Sequence, residues 1–280
     1  MSTHGRVAED GSGTTRNIKV ITIGLSGPSS GGKTTTSRYL RTILPNSTIL
    51  HQDDFYLPED QLPLDTNTGL ANWDCPGAIN FDQMISTLTY VKEHGQFPPE
   101  FDSLEDKNPV GSKPSTPIAD EVLQPMKEKV MNLIPPEDRE NIKFVILDGF
   151  ILYVNEALRK TIDIKFFLTA PYQILKERRE SRKGYATLEG YWEDPPGYFD
   201  NIVWPNYLIW NAPFVDITTA MEAGTETGVY NADEETTSRS DPMTQGVDII
   251  SSGDSSVQSM VQTAMDLLVK RLSELNSSSS

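Results

Sequence analysis

The chain has 280 residues, enough for one large α/β domain or two small ones. Its 24 Lys and Arg against 40 Asp and Glu leave a net charge of −16, which excludes broad nucleic-acid binding, because that needs a basic surface to displace counterions. A single cysteine, Cys75, excludes an intramolecular disulfide and an all-cysteine metal site, and three histidines leave little for zinc.

Residues 1–17 are polar and read as a flexible tail. Order begins at Ile18, where the β-branched run to Leu25 reads as a buried strand. A Gly/Ser loop follows, then a helix over about 33–43, stopped near Pro45. Residues 47–51 read as a second short strand. Apolar Met84, Ile85, Leu88 and Val91 predict a helix over 79–94. The stretch Gln96 to Pro125 is rich in proline and charge without a clear period, and reads as a surface insertion. A short helix near 126–133 leads to a third strand over 143–148, and 162–168 reads as a fourth. Pro171 opens a basic helix running to about Lys183. A second polar insertion covers about 218–245. Val247–Ile250 reads as the last strand, 257–272 as an amphipathic helix and 273–280 as a serine-rich flexible tail.

Strands alternating with helices predict one α/β domain over 18–272, with a mostly parallel sheet and helices on both faces. No run approaches the roughly 20 apolar residues of a membrane-spanning helix. The first residues lack the apolar core of a secretory signal, so the expected location is the cytoplasm or the nucleus, with no membrane partner.

Gly27-Pro28-Ser29-Ser30-Gly31-Gly32-Lys33-Thr34 fits G-x-x-x-x-G-K-[ST], after a strand and before a helix. Glycines let the loop turn its N–H groups toward one anion at a helix N-terminus. Gly27, Ser29, Ser30, Gly31, Gly32, Lys33, Thr34 and Thr35 are therefore expected to contact a nucleotide, with Lys33 on its β- and γ-phosphates and Thr34 on Mg²⁺. The fold class is thus the P-loop NTPase type. Asp148 ends a strand facing the ligand crevice of such a sheet and is a second candidate for Mg²⁺.

The Asn-Lys-x-Asp segment of GTPases is absent, which favours a small kinase carrying a lid. Such an enzyme needs a carboxylate beside the acceptor hydroxyl. Asp53 or Asp54 fits that need, although an Asp-Asp turn would look the same. Trp73 is a candidate to stack on a base and Asp74 to bind a ribose diol. Arg178, Arg179, Arg182 and Lys183 cluster on one predicted helix, where 178 and 182 share a face, as in a lid closing over phosphates. Tyr185 and Tyr198 are further stacking candidates.

These segments resemble the nicotinamide riboside kinase family, particularly its fungal members, within the uridine-kinase-like P-loop kinases. The matching stretches are Gly24–Thr36, Gln52–Tyr56, Asn72-Trp73-Asp74, Val145–Phe150, Pro171–Tyr185 and the region from Tyr191 to Trp204. The resemblance implies ATP- and Mg²⁺-dependent transfer to the 5′-hydroxyl of nicotinamide riboside, and of nicotinic acid riboside, feeding NAD synthesis; the chain is expected to act as a monomer. It implies Asp53 as catalytic base near Mg²⁺. It places Asp53, Asp54, Phe55 and Tyr56 along the acceptor, and Asp74 and Arg179 at the ribose. Trp73 and Tyr185 would sandwich the pyridine ring, and Arg178 and Arg182 would face ATP. Asp254, Ser255, Ser256 and Val257 would lie near adenine. A pyridinium stacked on aromatic rings gains a cation–π contribution of about 0.5–2 kcal/mol that neutral uridine lacks. Two alternatives share the fold: a uridine or cytidine kinase, and a catalytically silent regulatory protein. Intact Lys33, Thr34, Asp53 and Asp148 weigh against the second.

Overall fold

The computed structural model describes residues 6–9, 15–104, 117–182, 184–187, 190–215, 241–253 and 255–278. A short strand β1 (Arg6–Glu9) pairs antiparallel with the start of the long strand β2 (Thr15–Ser26), Arg6 opposite Ile18. The expectation of a flexible segment before Ile18 differs from this. The ladder is made by backbone groups and needs no apolar side chains, so the polar composition did not reveal it.

The remaining strands of the main sheet are β3 (Ser47–His51), β4 (Ile142–Asp148), β5 (Ile164–Thr169) and β8 (Val247–Ser251). They run parallel in the order β3-β4-β2-β5-β8. Alternation along the strands splits the core into two layers. Phe144 and Ile146 pack with α1 (Lys33–Ile43), α3 (Asp120–Leu133) and α7 (Val257–Ser278). Val145 and Leu147 pack with α2 (Phe81–His94), α4 (Glu156–Thr161) and α6 (Trp204–Trp210) on the other face. Strand β2 is flanked by β4 on one side and β5 on the other, so the chain leaves it at the switch point where such sheets bind ligands. Registers Leu25↔Asp148 and His51↔Asp148 bring three strand ends to one level beneath that crevice.

Several boundaries differ from the sequence reading. Helix α3 begins at Asp120 rather than near 126 and contains Pro125. Asp120 and Glu121 in its first turn favour the helix N-terminus, and buried Leu123, Met126 and Val130 form its inner face. Helix α7 continues to Ser278 instead of ending at Leu272, and Asn276 Nδ2 donates to Leu133 O at 3.0 Å. The basic helix α5 (Tyr172–Glu180) stops before Lys183. It leads to an antiparallel hairpin of β6 (Tyr185–Thr187) and β7 (Gly190–Trp192), which lies beyond the basic helix expected to form the lid. Most of the second expected insertion, 216–240, and residues 105–116 of the first lie outside the described residues.

Candidate active site

The phosphate loop needs glycine at two positions for separate reasons. Gly27 has φ +140, and a Cβ there would lie 2.4 Å from Leu168 O. Gly32 has φ +88 as it opens α1, with Met260 of α7 only 3.1 Å from where a Cβ would sit. Lys33 lies under the loop, buried, with Nζ donating to Pro28 O at 2.9 Å. Burial pulls its pKa below the ordinary value, while Asp148 and Asp53 hold it up.

Asp148 Oδ2 accepts from Ser37 Oγ at 3.0 Å and lies 3.5 Å from His51 Nδ1. Burial pushes this carboxyl up, but His51, Lys33 and Thr34 together hold it below the usual carboxylate range. Asp148 is therefore a charged oxygen donor beside Thr34. His51 was not singled out from the sequence; its role appears only because β3 and β4 pair in register.

A short 3₁₀ turn, Gln52–Phe55, follows β3 and sorts its side chains. Residues three apart share a face in such a turn. Gln52 and Phe55 point inward: Gln52 Oε1 accepts from Phe150 N (2.9 Å) and Ile151 N (3.1 Å), and Phe55 is 1% exposed. Phe55 is thus a core residue stacked on Phe101 and does not line the pocket. Asp53 points out into the pocket that holds Lys33, Thr34 and Asp148.

Asp54 also reaches that pocket, but its oxygens are engaged. Oδ2 accepts from Ser103 Oγ and Oδ1 from Leu104 N, both at 2.8 Å. With Phe97 and Phe101 stacked at 4.6 Å, this docks the start of the predicted insertion against the turn. Between the two aspartates, Asp53 fits the base and Asp54 the anchor. Asp54→Ala is expected to lower the unfolding free energy by about 1–2 kcal/mol in urea titrations, with nucleotide affinity retained.

Trp73 and Asp74 close the acceptor end. Trp73 is 7% exposed, edge-on to Tyr56 at 5.2 Å, and tilted against Trp192 at 5.6 Å. Asp74 Oδ1 lies 3.5 Å from Arg179 Nη1. Burial raises the Asp74 pKa and Arg179 opposes the rise. Asp74 Oδ2, Trp73 Nε1 and Ser30 Oγ are buried without a partner, although all three residues line this one pocket. Such groups normally find a partner, and a polar ligand supplies one.

Of the arginines, Arg179 and Arg182 line the pocket. Arg178 instead bonds to Ser30 O (3.4 Å), Ser252 O (3.3 Å) and Gly253 O (3.4 Å), tying α5 to the phosphate loop and the end of β8. Ser255, Ser256 and Val257 stand beside that contact, at the start of α7 and outside the pocket; Asp254 lies outside the described residues. The Tyr185 side chain also lies outside them, whereas Trp192, across the hairpin from it, does line the pocket. Tyr198 is buried and does not line the pocket, its OH donating to Ala71 O at 2.8 Å.

Thr34, Asp53 and Asp148 supply hard oxygen donors to one space, the chemistry that Mg²⁺ prefers. Among the described residues no group of three His, Cys, Asp or Glu could hold a metal by itself.

A phosphate loop with its buried lysine, an outward carboxylate and an aromatic–acid pair lining one pocket, on a doubly wound parallel sheet, define a P-loop kinase of small molecules. No family model matches the chain. It is 40% identical over 190 residues to the nicotinamide riboside kinase of Schizosaccharomyces pombe, covering 68% of this chain and 78% of that one. It is 35% identical over 189 residues to the Saccharomyces cerevisiae enzyme of the same name, covering 68% and 76%. Against human nicotinamide riboside kinase 1 the identity is 30% over 201 residues, covering 72% and 81%. The chain belongs to the nicotinamide riboside kinase family. No helix among the described residues is long and apolar enough to cross a membrane.

Proposed function

We propose that this protein transfers the γ-phosphoryl group of ATP to the 5′-hydroxyl of nicotinamide riboside, and of nicotinic acid riboside, giving mononucleotides for NAD synthesis. The observation that carries this reading is a single pocket lined together by Lys33 of the phosphate loop, Asp53 and the Trp73–Asp74 pair.

Lys33 and the loop N–H groups hold the β- and γ-phosphates. Thr34 and Asp148, with Asp53 lining the same pocket, would hold Mg²⁺, which would supply charge neutralisation at those phosphates. Asp53 accepts the proton of the 5′-hydroxyl as its oxygen bonds to phosphorus and the β–γ bridging oxygen leaves with ADP. Asp74 and Arg179 take the ribose hydroxyls, which gives the unpartnered Asp74 Oδ2 its donor. Arg182 faces the transferring phosphate from the lid. Trp73 lies against the pyridinium, and the nearby Asp74 carboxylate adds attraction for that charge.

The charge separates this reading from a uridine kinase. Trp73→Leu is expected to lower kcat/KM for nicotinamide riboside by about tenfold, and for uridine by less than about threefold. Equal losses in parallel steady-state assays would contradict recognition of the cation.

A further inference from the structure

Arg179 ties together parts of the chain that are remote in sequence. Its Nε and Nη2 donate to Asp194 Oδ2 (2.6 Å) and Oδ1 (3.1 Å), a two-pronged grip that fixes the plane of the guanidinium. Its Nη1 donates to Ser29 Oγ at 2.8 Å in the phosphate loop and lies 3.5 Å from Asp74 Oδ1 at the acceptor end. Asp194 also accepts from Trp192 Nε1 at 3.0 Å. That bond orients the indole against Trp73, at 5.6 Å and 52°. Arg179 is buried, and the Asp194 side chain is 20% exposed. Asp194 does not line the main pocket, yet it sets two groups that do.

We propose that Asp194 is a positioning residue that couples the two substrates. It holds Trp192 as the lid-side aromatic wall of the acceptor pocket and holds Arg179 across the phosphate loop and Asp74, so riboside and nucleotide each tighten the other's binding through one carboxylate. The proposal rests on the functional reading above for the identity of the acceptor. The substitution Asp194→Asn keeps the size of the side chain. It leaves one acceptor oxygen where there were two and turns an NH₂ group toward an N–H donor.

The test is equilibrium titration of the intact chain. Nicotinamide riboside is titrated with and without Mg²⁺ and a non-hydrolysable ATP analogue, and the analogue with and without riboside. In the wild type each ligand is expected to tighten the other by the same factor, about fivefold or more, because coupling is reciprocal. In Asp194→Asn the factor is expected to fall below about twofold, while the analogue alone binds within about threefold of wild type. A variant that keeps the wild-type factor, or a wild type without coupling, would overturn the proposal.

If Asp194→Asn fails to fold by circular dichroism, Trp192→Phe keeps a ring and removes only the N–H that meets Asp194. It is expected to lower the coupling factor by about half or more, and an unchanged factor would overturn the proposal. A wild type that phosphorylates uridine but no pyridine riboside would refute the functional reading alone. The same titrations with uridine would then still decide the role of Asp194.

Discussion

Asp53→Asn is expected to lower kcat by about 10³-fold, within the span typical of losing a positioned general base, and to leave nucleotide affinity nearly unchanged. The amide keeps the shape of the side chain and removes only its capacity to take the 5′-hydroxyl proton. Asp54 does not substitute for it, because its two oxygens already hold Ser103 and Leu104. ADP release and nucleotide titration on the same preparation check both halves. Turnover near the wild-type level would remove Asp53 from the chemistry.

Lys33→Met is expected to affect activity and stability differently. Turnover falls by at least about 10²–10³-fold, since the cation facing the transferring phosphate is gone. Stability is retained or increased. The ammonium is buried, with Pro28 O as its hydrogen-bond acceptor, and its lowered pKa reflects the cost of keeping charge there. Asp148 keeps Ser37 and His51 as partners when Lys33 is gone. Thermal melts check this side of the prediction. A melting temperature lower by more than about 5 °C would show that Lys33 holds the loop together rather than serving the nucleotide.

What was legible in the sequence was local. The phosphate loop carries its own spacing, and its flanking strand and helix come from runs of a few residues, so both were read correctly. Asp148 was found because a strand-end acid has one place to go in a parallel sheet. The resemblance places Asp53, Asp54, Phe55 and Tyr56 together along the acceptor, yet Phe55 is buried and does not line the pocket. The three-residue period of the turn sends Gln52 and Phe55 inward and leaves Asp53 outward. The anchor role of Asp54 depends on Ser103 and Leu104, about fifty residues away, and no local pattern encodes it. Trp192 escaped for a similar reason, since its place in the pocket depends on the β6–β7 pairing and on Asp194. Pro125 was read as a boundary, yet an acidic first turn and a buried apolar face carry α3 through it.

The identity of the acceptor is decided by ADP release with Mg·ATP against four acceptors at matched concentration: nicotinamide riboside, nicotinic acid riboside, uridine and cytidine. Strong turnover with the two pyridine ribosides and little with the two pyrimidine nucleosides is the predicted result. Strong turnover with uridine or cytidine and none with the pyridine ribosides would contradict it.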